Sequence, residues 1–417
     1  MRKLTRVVGM LLTWGGGAGI ALATLTPAAN VPASNVLCFL CGEFAVLDAL
    51  NNLLLFAPLG AGLALLGAPA RRAVATMALA SVVIEALQVT VLPGRDANVT
   101  DVAANTLGGA MGFVFAPRAR LFLRPAPREA RALFSAWLAL WLVAQAAFSY
   151  AMLPAATTGR YFGQIRRSLG GRPPYEGRVL AATLNGEPML DREYTRDASV
   201  RLASAIASPD GLRVDVLTQP RDTADRMSSI VRLVDDRQYE LLALTADGPD
   251  IAFRARSGAH VLRLRALVFR LPRGLAAHRD SAGPIPVRLQ ARHAAATVQM
   301  SAHSARSSQA VELRLTPGMG WRVLIPLSLS VSDRRRERML AALWTMLVAL
   351  PGGFWGAAAV GRPRPLVWLA VALPVALVGH LAIPRATGLD SPVAHEIVAS
   401  VLGFLIGARL LRRSPSS

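Results

Sequence analysis

The chain has 417 residues, 53% of them hydrophobic and 17% charged, with a formal net charge of +20. So apolar a composition excludes an ordinary soluble globular chain and a disordered one, and the length leaves room for two or three domains. Lys3 is the only lysine, and the arginines crowd the ends of apolar segments instead of striping a polar face, so the charge reads as a topology marker and no nucleic-acid partner is expected.

Eight apolar stretches approach the length needed to cross about 30 Å of hydrocarbon. They run over 7–27, 47–67, 73–92, 101–117, 132–153, 339–358, 365–384 and 392–410. The first follows Arg2, Lys3 and Arg6 and reads as a retained anchor rather than a signal peptide, because it is long and its A-x-A pattern is poor. Arginines gather at 71–72, 118–131, 362–364 and 409–413, which are alternate connections if both termini are cytoplasmic. Arg334, Arg335, Arg336 and Arg338 fall on the opposite side in that scheme, behind a long segment of the kind that escapes the charge rule.

Between the two apolar groups the pattern changes. Runs such as Ser199–Ser204, Gly211–Leu217, Tyr239–Leu244, His260–Arg265, Pro286–Arg292 and Val311–Leu315 alternate apolar and polar residues, as strands with one wet face do. Asp235-Asp236, Asp247-Gly248-Pro249, Ser257-Gly258 and Pro317-Gly318 punctuate them as turns. The expected architecture is a multi-span α-helical membrane protein with an inserted all-β domain, an antiparallel, jelly-roll-like sandwich of roughly ten short strands. The expected domains are 1–153 with about five helices, 154–333 as the sandwich, and 334–417 with about three helices.

The segments opening at Asp101 and at Glu396 echo one another. Each places a small polar residue four positions after its acid (Asn105, Ser400) and then two glycines four apart (Gly108 with Gly112, Gly403 with Gly407). That is a parallel repeat or a chance likeness of two small-residue helices. The G-x-x-x-G spacings themselves suit close helix packing.

Polar side chains inside spans are costly and therefore informative. Asp48, Asn51 and Asn52 open the second stretch, Glu85 and Gln88 close the third, Arg95 and Asp96 lie in the next connection, and Asp101 and Asn105 open the fourth. The topology puts all of them at the outer face. Glu85 with Gln88, and Asp101 with Asn105, share helix faces by spacing. They form either an ion-pair cluster that joins helices or a polar pocket for a lipid headgroup or sugar. Cys38-Phe-Leu-Cys41 has only Glu43 and Asp48 nearby as further ligands, so no metal and no cofactor are expected; a local disulfide or two buried thiols remain open. His380 and His395 lie near the outer ends of the last two stretches.

Asp48-x-x-Asn51-Asn52-Leu-Leu-Leu-Phe56-Ala-Pro58-Leu59-Gly60, then Ser81-x-x-x-Glu85-x-x-Gln88, then Arg95-Asp96-x-x-x-x-Asp101-x-x-x-Asn105-Thr106-x-Gly108 resemble the VanZ-like family over about residues 35–118. The resemblance implies a bacterial cytoplasmic-membrane protein with a role in the cell envelope, low-level resistance to a lipoglycopeptide antibiotic included. The middle segment resembles, more weakly, concanavalin A-like or laminin-G-like sandwiches, which implies glycan binding. The second helical group lacks the Arg-Asp and Asn-Thr elements. Three functions follow as expectations. The first is binding of a lipid-linked saccharide or glycolipid by the polar cluster. The second is a transferase or hydrolase with Glu85 or Asp101 as general base. The third is a transporter or channel. The partners implied are membrane lipid and an envelope glycan or lipid-linked precursor; nothing in the sequence sets the oligomeric state.

Overall fold

The computed structural model describes residues 2–26, 43–91, 98–168, 174–221, 227–275, 279–280, 283–325, 330–360, 365–390 and 393–410. The chain divides into two compact units, Met1–Leu133 and Phe134–Ser417.

The first unit contains α1 (Arg2–Thr24), α2 (Ala45–Leu65), α3 (Ala70–Thr90), α4 (Val99–Phe115) and the short α5 (Ala119–Leu123). Asn98 caps α4 by accepting from the Thr100 amide at 3.0 Å. α2 and α4 touch backbone to backbone. A side chain on Gly108 would overlap the Leu53 carbonyl, one on Gly112 the Ala57 carbonyl, and one on Gly60 the Gly109 carbonyl. α3 lies antiparallel to α4, with Met77 against Gly109 and Ser81 against Asn105. α1 packs on α2 through Gly16 against Leu59 and Thr13 against Gly62.

The second unit holds α6 (Pro127–Met152) from Phe134 onward, the sandwich, and the C-terminal helices α9 (Arg334–Val360), α10 (Pro365–Leu377), α11 (Ile383–Thr387) and α12 (Ala394–Leu410). A π-helical turn at Val378–Ala382 joins α10 to α11. α12 lies on α9 with Gly403 over the Met346 carbonyl and Gly407 over the Leu350 carbonyl, while Gly353 faces the Phe404 carbonyl. Phe404, Trp368, Ala357, Ala372 and Ala408 form the local core. Trp137 of α6 sits over Gly352, and its indole N–H donates to the Val348 carbonyl at 3.0 Å.

All eight apolar stretches are helical. Among the described residues six spans are long and apolar enough to cross a membrane, the run Leu366–Thr387 through the π-helical turn counting as one. The other two, α4 and α12, have 17 residues each, which spans roughly 25 Å at 1.5 Å per residue.

The sandwich consists of two six-stranded sheets. One has the order β1 (Tyr161–Ile165), β5 (Ser228–Asp235), β6 (Glu240–Asp247), β7 (Asp250–Ala255), β8 (Val268–Leu271) and β14 (Ser330–Val331). The other has the order β13 (Ser308–Arg314), β12 (Thr297–His303), β11 (Val287–Ala294), β4 (Leu212–Gln219), β2 (Arg178–Leu184) and β3 (Glu187–Pro188). Every described pairing is antiparallel except β14 with β8. A two-residue ladder joins β9 (Arg279–Asp280) to β10 (Gly283–Pro284). The helical membrane architecture with an inserted β domain therefore stands.

Two of the expected strands are absent. Ser199–Ser204 lies in the helix α7 (Arg196–Ala207), because Thr195 caps it and Asp197 complements its first turn. His260–Arg265 begins inside a capped turn, α8 (Gly258–Val261), in which the Ser257 amide donates to His260 Nδ1. The first sheet also holds a strand that alternation does not mark, since all of β5 is buried, Arg232 included. That charge is tolerated because Glu240 accepts from Arg232 at 3.1 Å and from Arg254 at 2.7 Å. Burial pushes the Glu240 carboxyl up, but the bonds from the two guanidinium groups outweigh it and hold the group below its ordinary range.

Candidate functional site

Polar residues from three helices meet at one end of the N-terminal unit. The antiparallel run of α3 against α4 brings the last turns of α3 beside the first turns of α4, and the parallel run of α2 and α4 brings the start of α2 to the same level. Glu85 and Gln88 are buried on α3, Asn98 is buried at the cap, and Asn105 is buried in the second turn of α4. Asn51, Asn52 and Asp101 are half-buried, and Asp48 is exposed in the first turn of α2. Arg95 and Asp96 lie outside the described residues, as do Cys38 and Cys41.

The bonds are specific. The Asn98 amide donates to Glu85 Oε2 at 2.9 Å, so α3 receives the incoming strand of its own connection. Gln88 Nε2 donates to the Thr24 carbonyl at the end of α1, at 3.0 Å. Asn105 Nδ2 donates to Ser81 Oγ at 2.8 Å. Two buried amide atoms, Asn51 Nδ2 and Asn105 Oδ1, make no hydrogen bond. An unsatisfied buried donor or acceptor costs on the order of 1–3 kcal/mol, and this end of the unit carries one of each. Among the described residues no group of acids, histidines or cysteines is arranged to hold a metal ion.

The second unit has its own buried polar network, which the sequence disclosed only in part. Glu396 is fully buried and accepts the Gly318 amide at 3.1 Å. His380, on the π-helical turn, brings Nδ1 to 3.3 Å from Glu396 Oε2 and Nε2 to 3.2 Å from Ser400 Oγ. That order of serine, histidine and acid is the order of a nucleophilic triad, but Ser400 is 5% exposed and lines none of the described cavities. It packs as a helix-joining network. Arg322 and Glu337 form a second buried pair, bonded through Nε at 2.7 Å and Nη2 at 2.5 Å. Nothing in the sequence marked Glu337, which sits in a run of arginines that reads as a solvated helix start.

On the outer face of the second sheet, Arg213, Gln290, Arg292, Gln299, Ser301, His303 and Glu312 line an open groove of about 470 Å³. Strand register places Glu312, Gln299, Arg292 and Arg213 in one row across β13, β12, β11 and β4. Ala310, Ser301, Gln290 and Asp215 make the next row, where the small residues open the groove floor.

The apolar helices and inserted sandwich define a multi-pass helical membrane protein. Within it, residues 13–123, which include the polar cluster, match the VanZ/LLP1 family model. No curated protein and no solved structure matches the chain.

Proposed function

We propose that this is a bacterial cell-envelope protein of the cytoplasmic membrane, whose N-terminal polar cluster binds a lipid-linked saccharide or a glycolipid-like molecule at the outer leaflet. The observation that carries the reading is the convergence of Glu85, Gln88, Asn98 and Asn105, all buried, beside two unsatisfied amide atoms of opposite hydrogen-bonding sense. Asp48, Asn52 and Asp101 supply further acceptors and donors at the same end, and Arg95 and Asp96 are assigned to the site from the sequence pattern alone. A sugar presents hydroxyls that both donate and accept, and this set answers both. The use of Glu85 to hold the Asn98 amide favours binding over general-base catalysis by that residue.

The sandwich, placed outside the membrane in this reading, binds envelope glycan through the groove over β4, β11, β12 and β13. Its arginine, glutamine, serine and histidine side chains are all suited to hydroxyl recognition. Sensitivity to a lipoglycopeptide antibiotic, scored beside membrane abundance, tests the assignment. Arg95→Lys keeps the charge but loses the planar two-pronged donor, so it is expected to abolish the phenotype at wild-type abundance. Full activity of Arg95→Lys at that abundance removes Arg95 from the site.

A further inference from the structure

We infer that the C-terminal helices are a second copy of the N-terminal four-helix unit, in which the polar site has become the seat of the sandwich domain. The inference stands whether or not the N-terminal cluster binds a ligand.

The correspondence is geometric before it is sequential. In the N-terminal unit, Gly108 and Gly112 of α4 lie on the carbonyls of Leu53 and Ala57 of α2, and Gly60 returns the contact to Gly109. In the second unit, Gly403 and Gly407 of α12 lie on the carbonyls of Met346 and Leu350 of α9, and Gly353 returns the contact to Phe404. One constant shift carries Leu53, Ala57 and Gly60 onto Met346, Leu350 and Gly353. The same shift carries Pro58, inside α2, onto Pro351, inside α9. A second constant shift carries Gly108, Gly109 and Gly112 onto Gly403, Phe404 and Gly407, and it maps the first and last residues of α4 onto those of α12.

The neighbouring helices follow. Met77 of α3 fills the space at Gly109, while Ala372 and Trp368 of α10 pack on Phe404; the second shift takes Met77 to Ala372. Gly16 of α1 meets Leu59, and Trp137 of α6 meets Gly352, which is the shifted equivalent of Leu59. Close backbone approach tolerates only glycine at a few places, so the same set of approaches at constant spacing is a demanding match. The sandwich is thus inserted between the first and second helices of the second copy.

The polar positions map too, and they differ in use. Asp101 and Asn105 become Glu396 and Ser400, and Glu85 becomes His380. Asn51, whose Nδ2 is one of the two unsatisfied amide atoms, becomes Trp344, Asn52 becomes Thr345, and the amide of Asn105, which carries the other, is replaced by the Ser400 hydroxyl. In their place Glu396 accepts the Gly318 amide from the 3₁₀ segment Pro317–Leu324, which lies between β13 and β14 of the sandwich. Arg322 of that segment is held by Glu337 of α9. A Cβ at Gly318 would overlap the Glu396 carboxylate, and one at Gly320 would overlap the Phe148 ring, so the segment is fitted to this seat.

Two experiments on the full-length protein in detergent test this. The first is a graft in which α12 residues 394–410 take the sequence of 99–115 in register, with Glu396 and Phe404 retained. It is expected to remain monodisperse, whereas the same graft slid by one residue aggregates; equal failure of both refutes the second copy. The second is hydrogen exchange at 317–324. Glu396→Ala is expected to raise exchange at Gly318 at least tenfold while α9 and α12 stay protected, and Glu396→Gln, which keeps an acceptor, to restore protection. Unchanged exchange in Glu396→Ala, or no rescue by Glu396→Gln, refutes the seat. Recovery of Glu396→Gln alone, with wild-type protection, supports it.

Discussion

At the scale of single residues, the buried charges carry the largest expected effects. Arg322 and Glu337 are 5% and 6% exposed, so removing one partner strands the other in a low-dielectric interior. Glu337→Ala is expected to destabilise by about 3–5 kcal/mol, whereas replacing both members with apolar residues costs far less; thermal unfolding of single and double variants measures the difference. His293 makes a pH prediction. Its Nε2–H donates to the Met152 carbonyl at the end of α6, at 3.1 Å, and burial pushes its pKa down to about 4. A histidine held neutral when folded but titrating near 6.5 when unfolded destabilises the fold as pH falls from about 6.5 towards 4, by as much as about 3 kcal/mol. Stability measured between pH 7 and 5 should therefore fall, and His293→Gln should flatten that slope. None of this was legible beforehand: a lone glutamate in an arginine run and a histidine in an alternating strand carry no signal of their partners, which are distant in sequence.

At the scale of elements, the glycines decide assembly. Gly108→Leu and Gly403→Leu each drive a side chain into a backbone carbonyl of the neighbouring helix, and both are expected to give aggregated protein on size exclusion, while Gly15→Leu, with open space around it, should not. Their spacing was readable in the sequence, as were the helices, because a long apolar run in a chain of this composition has few alternatives. Strands were readable where one face is wet, as in β4 and β11, whose burial alternates. Alternation failed at Ser199–Ser204 because a Thr195 cap and a local helix use the same residues differently, and β5 was not read as a strand because both of its faces are covered and leave no alternation to read.

At the scale of the whole molecule, the topology proposed from the arginine pattern puts residues 155–333 outside the membrane and both termini inside. Reporter fusions test that placement: phosphatase activity is expected at Arg306 and not at Ser417. The candidate cluster stands out in the sequence because polar residues inside apolar helices are rare, and the structure adds that α2, α3 and α4 bring those it describes to one end. What the sequence could not reveal is which of them are already satisfied internally, since Gln88 and Glu85 are partnered by backbone groups that any residue would supply. The central claim is that this end of the unit takes a ligand, and Asn105 is its most direct probe. Binding of a fluorescent lipoglycopeptide and of a polyprenyl-linked saccharide to wild type and Asn105→Ala in nanodiscs, at matched thermal stability, is the measurement. Loss of one satisfied amide is worth about 1–2 kcal/mol, so at least one ligand should bind the wild type and weaken roughly tenfold in the variant. Wild-type affinity in Asn105→Ala, or no binding of either ligand by wild type, contradicts the account and leaves the cluster as a joint between helices.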